Sequence, residues 1–213
     1  LKKYILLAGT VAIVLVISGC TNNKYSNETM NNKPTISNKT TATQKKSDSK
    51  KANEEVDKDL EASYKEINGI KKPNIEDARN FETSLKNGSV IMISRDNSTE
   101  KEVYNISMLD KFLDSFNNGK EGYVRIIKGS IVSGKLLVNK LDEYETDGKV
   151  IKVTVYDTYT DKNKFIQGTP GYFPKMAKTS SGNAIRYALL ESKDTPDNMG
   201  ATVISFDKNS IKN

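Results

Sequence analysis

The stretch Leu136-Leu137-Val138-Asn139-Lys140-Leu141-Asp142-Glu143-Tyr144-Glu145-Thr146-Asp147-Gly148-Lys149-Val150-Ile151-Lys152-Val153-Thr154-Val155-Tyr156 sets the architecture. Its first part, Leu136 to Tyr144, carries branched and large apolar residues that suit a pleated strand. Asp147-Gly148 is the strongest short hairpin signal, because Gly takes positive φ at no steric cost. Beyond the turn, Ile151, Val153 and Val155 alternate with Lys152, Thr154 and Tyr156, so one face of that strand is core and the other is solvent. Upstream, Tyr123 to Val132 alternates less regularly and makes a third segment of the same meander.

Two short strands precede the meander. Val90-Ile91-Met92-Ile93 is a continuous apolar run beside turn residues, and after Arg95-Asp96-Asn97-Ser98 the chain returns through Val103-Tyr104-Asn105-Ile106. Ser107 to Asp110 has the spacing of a capping box, and behind it Leu109, Phe112, Leu113 and Phe116 fall at i, i+3, i+4 and i+7 until Asn118-Gly119. That stripe predicts an amphipathic helix whose Phe residues are core. Earlier still, Val56, Leu60, Tyr64 and Ile67 mark one helix ending at Asn68-Gly69. A second starts at an Asn74 N-cap, with Glu76 and Asp77 in its first turn and Ala78, Phe81 and Leu85 on its buried side, and it closes at Gly88. At the other end, Ala184–Leu190 and Ala201–Phe206 read as strands joined by the turn-rich run from Asp194 to Gly200. Blocks of helices and strands with hairpin-length links predict an α+β fold: a largely antiparallel sheet with two or three amphipathic helices on one face.

The N-terminal region has a different character. Lys2 and Lys3 precede an apolar run of thirteen residues, Ile5 to Ile17, and then Ser18-Gly19-Cys20. A basic start, an apolar middle and small residues at the end form the three-part layout of a secretory signal, and a spanning helix needs about twenty residues. Ile17-Ser18-Gly19-Cys20 resembles a bacterial lipobox. The resemblance implies cleavage between Gly19 and Cys20 and a diacylglyceryl thioether on Cys20, the one cysteine of the chain. Each buried methylene adds about 0.8 kcal/mol, and stable anchoring takes two acyl chains, which one diacylglyceryl group supplies. Thr21 to Lys51 is dominated by Asn, Ser, Thr and Lys. Such a composition cannot bury enough apolar surface to offset ordering, so it reads as a tether with an average reach of about 30 Å. The expected division is a signal at 1–19, lipidated Cys20 and tether at 20–53, and one domain at 54–213, on the outer face of the cell membrane.

Charge and composition exclude several function classes. The net charge is +6, yet residues 1–58 carry 10 lysines against 5 acids while the rest carries 23 bases against 22 acids. A nucleic-acid reader needs a basic face on its folded domain, so nucleic acid is not an expected partner. There is no His, and with Cys20 committed to lipid no Ser-His-Asp triad, Cys-His pair, His or thiolate zinc site or internal disulfide can form. No cofactor or metal is expected beyond the lipid. Lys178, Ser180 and Ser181 lie close together, but serines and lysines crowd any polar loop. Asp142, Glu143, Glu145 and Asp147 cluster, and Asp157 and Asp161 flank Tyr159. Charges beside a hairpin edge commonly block edge pairing, and that reading is preferred here to acid catalysis or metal binding.

Beyond Asp157 periodicity is lost, and Tyr159 to Ser181 reads as a long irregular stretch around Gln167-Gly168-Thr169-Pro170-Gly171-Tyr172-Phe173-Pro174. Long aperiodic loops are often binding loops. Gln167, Tyr172 and Phe173 then offer a stiff contact for a protein or glycan; the other reading folds the aromatics back as a lid on the sheet.

Leu85-Lys86-Asn87-Gly88, Val103-Tyr104-Asn105, Leu109-Asp110-Lys111-Phe112-Leu113, Asn118-Gly119-Lys120, Val124-Arg125-Ile126, Asp147-Gly148-Lys149 and Asp161-Lys162 stand in an order and spacing that resembles the small Gram-positive lipoproteins grouped as domain of unknown function 4362. The likeness covers Glu76 to the C-terminus, weakening after Asn163, and carries over no catalytic residues. Where members have a Gly-Asp-Pro turn this chain has Val132-Ser133-Gly134-Lys135, and it lacks their later pair of cysteines, so no role tied to either transfers. The expectation is a lipid-anchored envelope protein with a non-catalytic domain that binds an envelope protein or wall polymer. The alternative is a carboxylate-dependent hydrolase or lyase acting on wall glycan, through Asp142, Glu143, Asp157 and Asp161.

Overall fold

The computed structural model describes residues 58–96 and 98–212. The expected signal, Gly19, Cys20 and the tether lie outside the described residues. Described helix α1 covers 58–63, and the chain leaves it at Tyr64, short of the expected stop at Asn68-Gly69. A 3-10 turn at Ile75–Arg79 leads to α2 (Phe81–Lys86), β1 (Val90–Arg95), β2 (Glu102–Tyr104) and α3 (Ile106–Asn117). Then come β3 (Gly122–Val132), β4 (Lys135–Thr146), β5 (Ile151–Asp157), β6 (Ile166–Gln167), β7 (Gly171–Phe173), β8 (Lys175–Ser181), β9 (Ala184–Leu190), β10 (Ala201–Asp207) and a closing 3-10 turn, Lys208–Ser210. Among the described residues no helix is long and apolar enough to cross a membrane.

The expected meander is present: β3, β4 and β5 pair antiparallel in sequence order, and β1 with β2 extends the sheet beyond β3. Both β6 and β7 pair with the far side of β5. A second sheet runs β10-β9-β8, also antiparallel. The exception is β1 with β3, which are parallel because β2 and α3 stand between them and carry the chain back to the same end. The fold is α+β with a largely antiparallel sheet.

Two apolar clusters flank the large sheet. On one face Val90, Val124, Ile126, Ile151 and Val153 meet Leu109, Phe112 and Leu113 of α3, and also Met176, Tyr187, Leu189 and Ile204 of the second sheet. On the other, Ile91, Ile93, Ile127 and Leu141 meet Ala78 and Phe165, with Phe81 and Leu85 packed at the margin. The helices therefore do not share one face, which corrects the expected layering: α3 covers one side and the 3-10 turn with α2 the other. The continuous run Val90 to Ile93 has apolar residues pointing both ways, so each face of β1 needs a cover.

Three local expectations change. The single helix expected from Ile75 is broken at Asn80, which is extended (φ −111°, ψ 119°) and whose Oδ1 accepts the Thr83 N–H at 2.9 Å to start α2. The break lets Ala78 and Phe81 both reach the sheet. The capping box at Ser107 does not form: α3 starts two residues earlier, after Asn105 in the left-handed region, and Asn105 Nδ2 instead donates to the carbonyls of Leu85 and Ser89. Finally, Tyr159–Ser181 is not one irregular stretch, since it holds β6, β7 and β8. Two of these have only two or three residues, too few for a period of two to show in sequence.

Candidate functional site

On the face covered by the 3-10 turn, β3, β4 and β5 hold a polar patch where a sheet interior is ordinarily apolar. The register sets Arg125 opposite Glu143 and Tyr123 opposite Glu145, while Glu143 faces Thr154 and Glu145 faces Lys152 across the other ladder. Direct cross-strand neighbours lie within side-chain reach. Arg125 is 2% exposed and Glu143 5%, and Arg125 Nη2 lies 2.7 Å from Glu143 Oε1. The hydroxyls of Tyr123 and Tyr156 donate to the same carboxylate, to Oε1 and Oε2 respectively. Arg125 also donates to the carbonyls of Pro73 and Asn74, at 2.7 and 2.9 Å.

These bonds fasten a strap, residues 64–74, across the sheet. Lys65 N–H donates to Asp147 Oδ2 at 3.0 Å, and Glu66 Oε1 lies 2.7 Å from Lys152 Nζ. Lys72 Nζ stands 2.7 Å from Glu145 Oε2, in charge contact and not in a directed hydrogen bond. The Tyr64 ring packs 5.7 Å from that of Tyr172 and 5.3 Å from Lys152 Nζ. Beside the strap is a cleft of about 270 Å³, lined among others by Lys72, Arg125, Glu145, Lys152 and Gln167.

Electrostatics hold the protons of three groups in this patch. Burial, with Glu143 beside them, pushes the phenols of Tyr123 and Tyr156 well above the ordinary tyrosine range, so both stay hydrogen-bond donors. Burial pulls the Lys152 ammonium down, but Glu66 and Glu145 outweigh it and hold its pKa above the ordinary lysine value. The cleft is thus walled by polar and charged side chains, among them Tyr156, whose O–H is held on Glu143, and Lys152, whose ammonium is held beside Glu66.

The carboxylates are not edge guards. Asp142, Glu143 and Glu145 are 1%, 5% and 2% exposed on β4, which has partners on both sides. The middle strand of any three-strand meander is interior, and that consideration was enough to exclude an edge. Glu143 and Glu145 face the strap; Asp142 faces the opposite way, where Tyr144 donates to it. Asp147 caps the hairpin by accepting from Lys149 and Val150. Asp157 accepts the N–H groups of Tyr159 and Thr160, and Asp161 that of Asn163. These contacts hold turns. Lys178 is paired with Asp110 at 2.6 Å.

Of the three residues named for binding, Gln167 and Tyr172 are on the strap side, whereas Phe173 packs against the first apolar cluster. Adjacent strand residues point to opposite faces, so Tyr172 and Phe173 do not form one aromatic contact. Sequence reasoning missed Lys72, Tyr123, Arg125, Lys152 and Tyr156. The available signal was Arg125 inside the run Val124 to Ile127, because a cation in a strand of that character must be paired.

No family model matches the chain, and neither a curated protein nor a solved structure matches it. Among the described residues no group of three or more His, Cys, Asp or Glu side chains is placed to hold a metal ion.

Proposed function

We propose that the chain is a lipid-anchored protein of the bacterial cell envelope, akin to the Gram-positive lipoproteins it resembles, whose α+β domain binds another envelope component without chemistry. The signal is 1–19, Cys20 carries the lipid, and 20–53 is the tether that presents the domain outside the membrane. The binding surface is the cleft beside the strap with Gln167 in its lining, together with Tyr172, the cross-strand neighbour of Lys152, and Lys72 and Lys152 supply charge. One observation favours binding over hydrolysis: Asp142 and Glu143 leave β4 on opposite faces, and Glu143 is held by Arg125 and two tyrosines. A glycosidase pair must converge across one sugar-sized gap of about 5–9.5 Å.

The test has two arms. Cells fed an alkyne-tagged fatty acid label the wild-type chain and not Cys20→Ala; labelling of both, or of neither, removes the anchor. Cross-linking in intact cells captures an envelope partner with the wild type and at least tenfold less with Gln167→Ala/Tyr172→Ala. Equal capture by the two folded proteins removes the cleft as the surface.

A further inference from the structure

A second cleft lies on the opposite side of the large sheet, where β4, β5 and β7 face β9 and β10. It measures about 310 Å³, a size that suits a small molecule. Its floor includes Asp142, which is 1% exposed and whose Oδ1 has no hydrogen-bond partner in the protein. Buried carboxylate oxygens are nearly always satisfied, so an unsatisfied one on a cleft floor marks a place where a donor is wanted. The walls are largely apolar: Val153, Val155, Phe173, Leu189 and Val203. Val155 is the cross-strand partner of Asp142 and is 46% exposed, an apolar surface left open directly beside the carboxylate.

The charges around Asp142 select the head group. Lys140 Nζ lies 3.3 Å from Asp142 Oδ2, and Lys128, opposite Lys140 in the register, sends its ammonium to the carbonyl of Val203. Tyr144 O–H donates to Oδ2 as well. Two ammonium groups around one carboxylate leave excess positive charge, which opposes a cationic ligand. An anionic ligand would set its charge against Oδ1. A neutral head that donates to Oδ1 and accepts from Lys140 meets neither obstacle.

We propose that this cleft between the two sheets is a second binding site, for a small neutral molecule with an amide or hydroxyl head and a branched apolar body. The site is separate from the strap-side cleft, so it stands or falls independently of the function proposed above.

The experiment uses the full chain with ¹³C-labelled Val, Leu and Ile methyl groups, titrated with isovaleramide, isoamylamine and isovalerate. The three share one apolar body and differ in head charge. Isovaleramide is expected to shift the methyl resonances of Val153, Val155, Leu189 and Val203 at millimolar concentration, and the amine and the acid to need at least fivefold more. Val155→Tyr, which fills the cleft mouth from an exposed position, is expected to abolish the shifts of Val153, Leu189 and Val203 while leaving the thermal midpoint within a few degrees. Three outcomes overturn the proposal. The probes fail to shift these methyls, meaning that the cleft takes no ligand of this class; they shift them equally, meaning adventitious apolar contact only; or a folded Val155→Tyr chain still binds.

Discussion

Arg125 and Glu143 are each other's cross-strand partners, and both are withdrawn from water. Exposed pairs such as Arg79 with Glu76 and Arg95 with Glu102 contribute about 0–1 kcal/mol each. Removing one member of a buried pair costs far more, because the survivor keeps its charge without its partner. Arg125→Met should therefore lower stability by roughly 3–5 kcal/mol in urea denaturation, and Arg125→Met/Glu143→Leu should recover most of that loss. A single-mutant cost near that of an exposed pair would show the Glu143 tyrosines to be sufficient. Asp142 behaves in the opposite sense. Burial raises its pKa above the ordinary 3.8 despite Lys140, so the folded state holds this proton more tightly than the unfolded chain does. The contribution of Asp142 to stability then falls as pH rises from about 4 through its raised folded value, and the penalty is absent below the unfolded value. Asp142→Asn should raise the thermal midpoint at pH 7, with the gain shrinking to nothing below pH ~4. A gain that is constant with pH would show that charge is not its source. Arg125 was conspicuous in sequence as a cation in an apolar run. Lys152 looked like the solvent face of an alternating strand, because nothing in β5 announces that residues 64–74 lie over it.

Among the elements, the β4–β5 hairpin and the end of α3 are built against each other through two glycines. Gly148 has φ +86°, and a Cβ on it would stand 2.2 Å from the carbonyl carbon of Gly119, which itself closes α3 with φ +67°. Gly148→Ala meets backbone strain and a collision with backbone that has no side-chain freedom to yield. It should cost roughly 2–5 kcal/mol, read from the denaturation midpoint at unchanged slope. A loss below about 1 kcal/mol would mean that the hairpin can swing away from α3. Both turns were legible, since Asn-Gly and Asp-Gly name their own geometry; that they touch was not. The strands over Val90, Val103, Tyr123, Leu136, Ile151, Ala184 and Ala201 were legible for the same local reason, a run of suitable residues beside turn chemistry. The break at Asn80 was not, because the spacing of Ala78, Phe81 and Leu85 fits one continuous helix equally well. β6 and β7 owe their existence to the open side of β5, a tertiary fact with no local trace.

Across the whole molecule, the α+β class followed from the blocks of strands and helices, while the sorting of helices to the two faces of the sheet did not. Apolar residues at every position of Val90 to Ile93 require cover on both sides but do not say which helix supplies it. The second sheet shows the same limit, since β9 and β10 carry ordinary strand patterns, β8 lies in the stretch read as irregular, and only their packing on the first apolar cluster sets the three apart. The strap has a further consequence, for the order of assembly. Its partners stand 51 to 86 residues further along: Arg125 for Pro73 and Asn74, Asp147 for Lys65 and Lys152 for Glu66. Closing loops of that length is slow relative to the local hairpins, which the chain forms first. A chain emerging N-terminus first therefore shows residues 64–74 to its surroundings before anything exists to hold them. That segment can settle only after β3, β4 and β5 have paired, so it stays open to the surroundings while the hairpins beneath it are already formed.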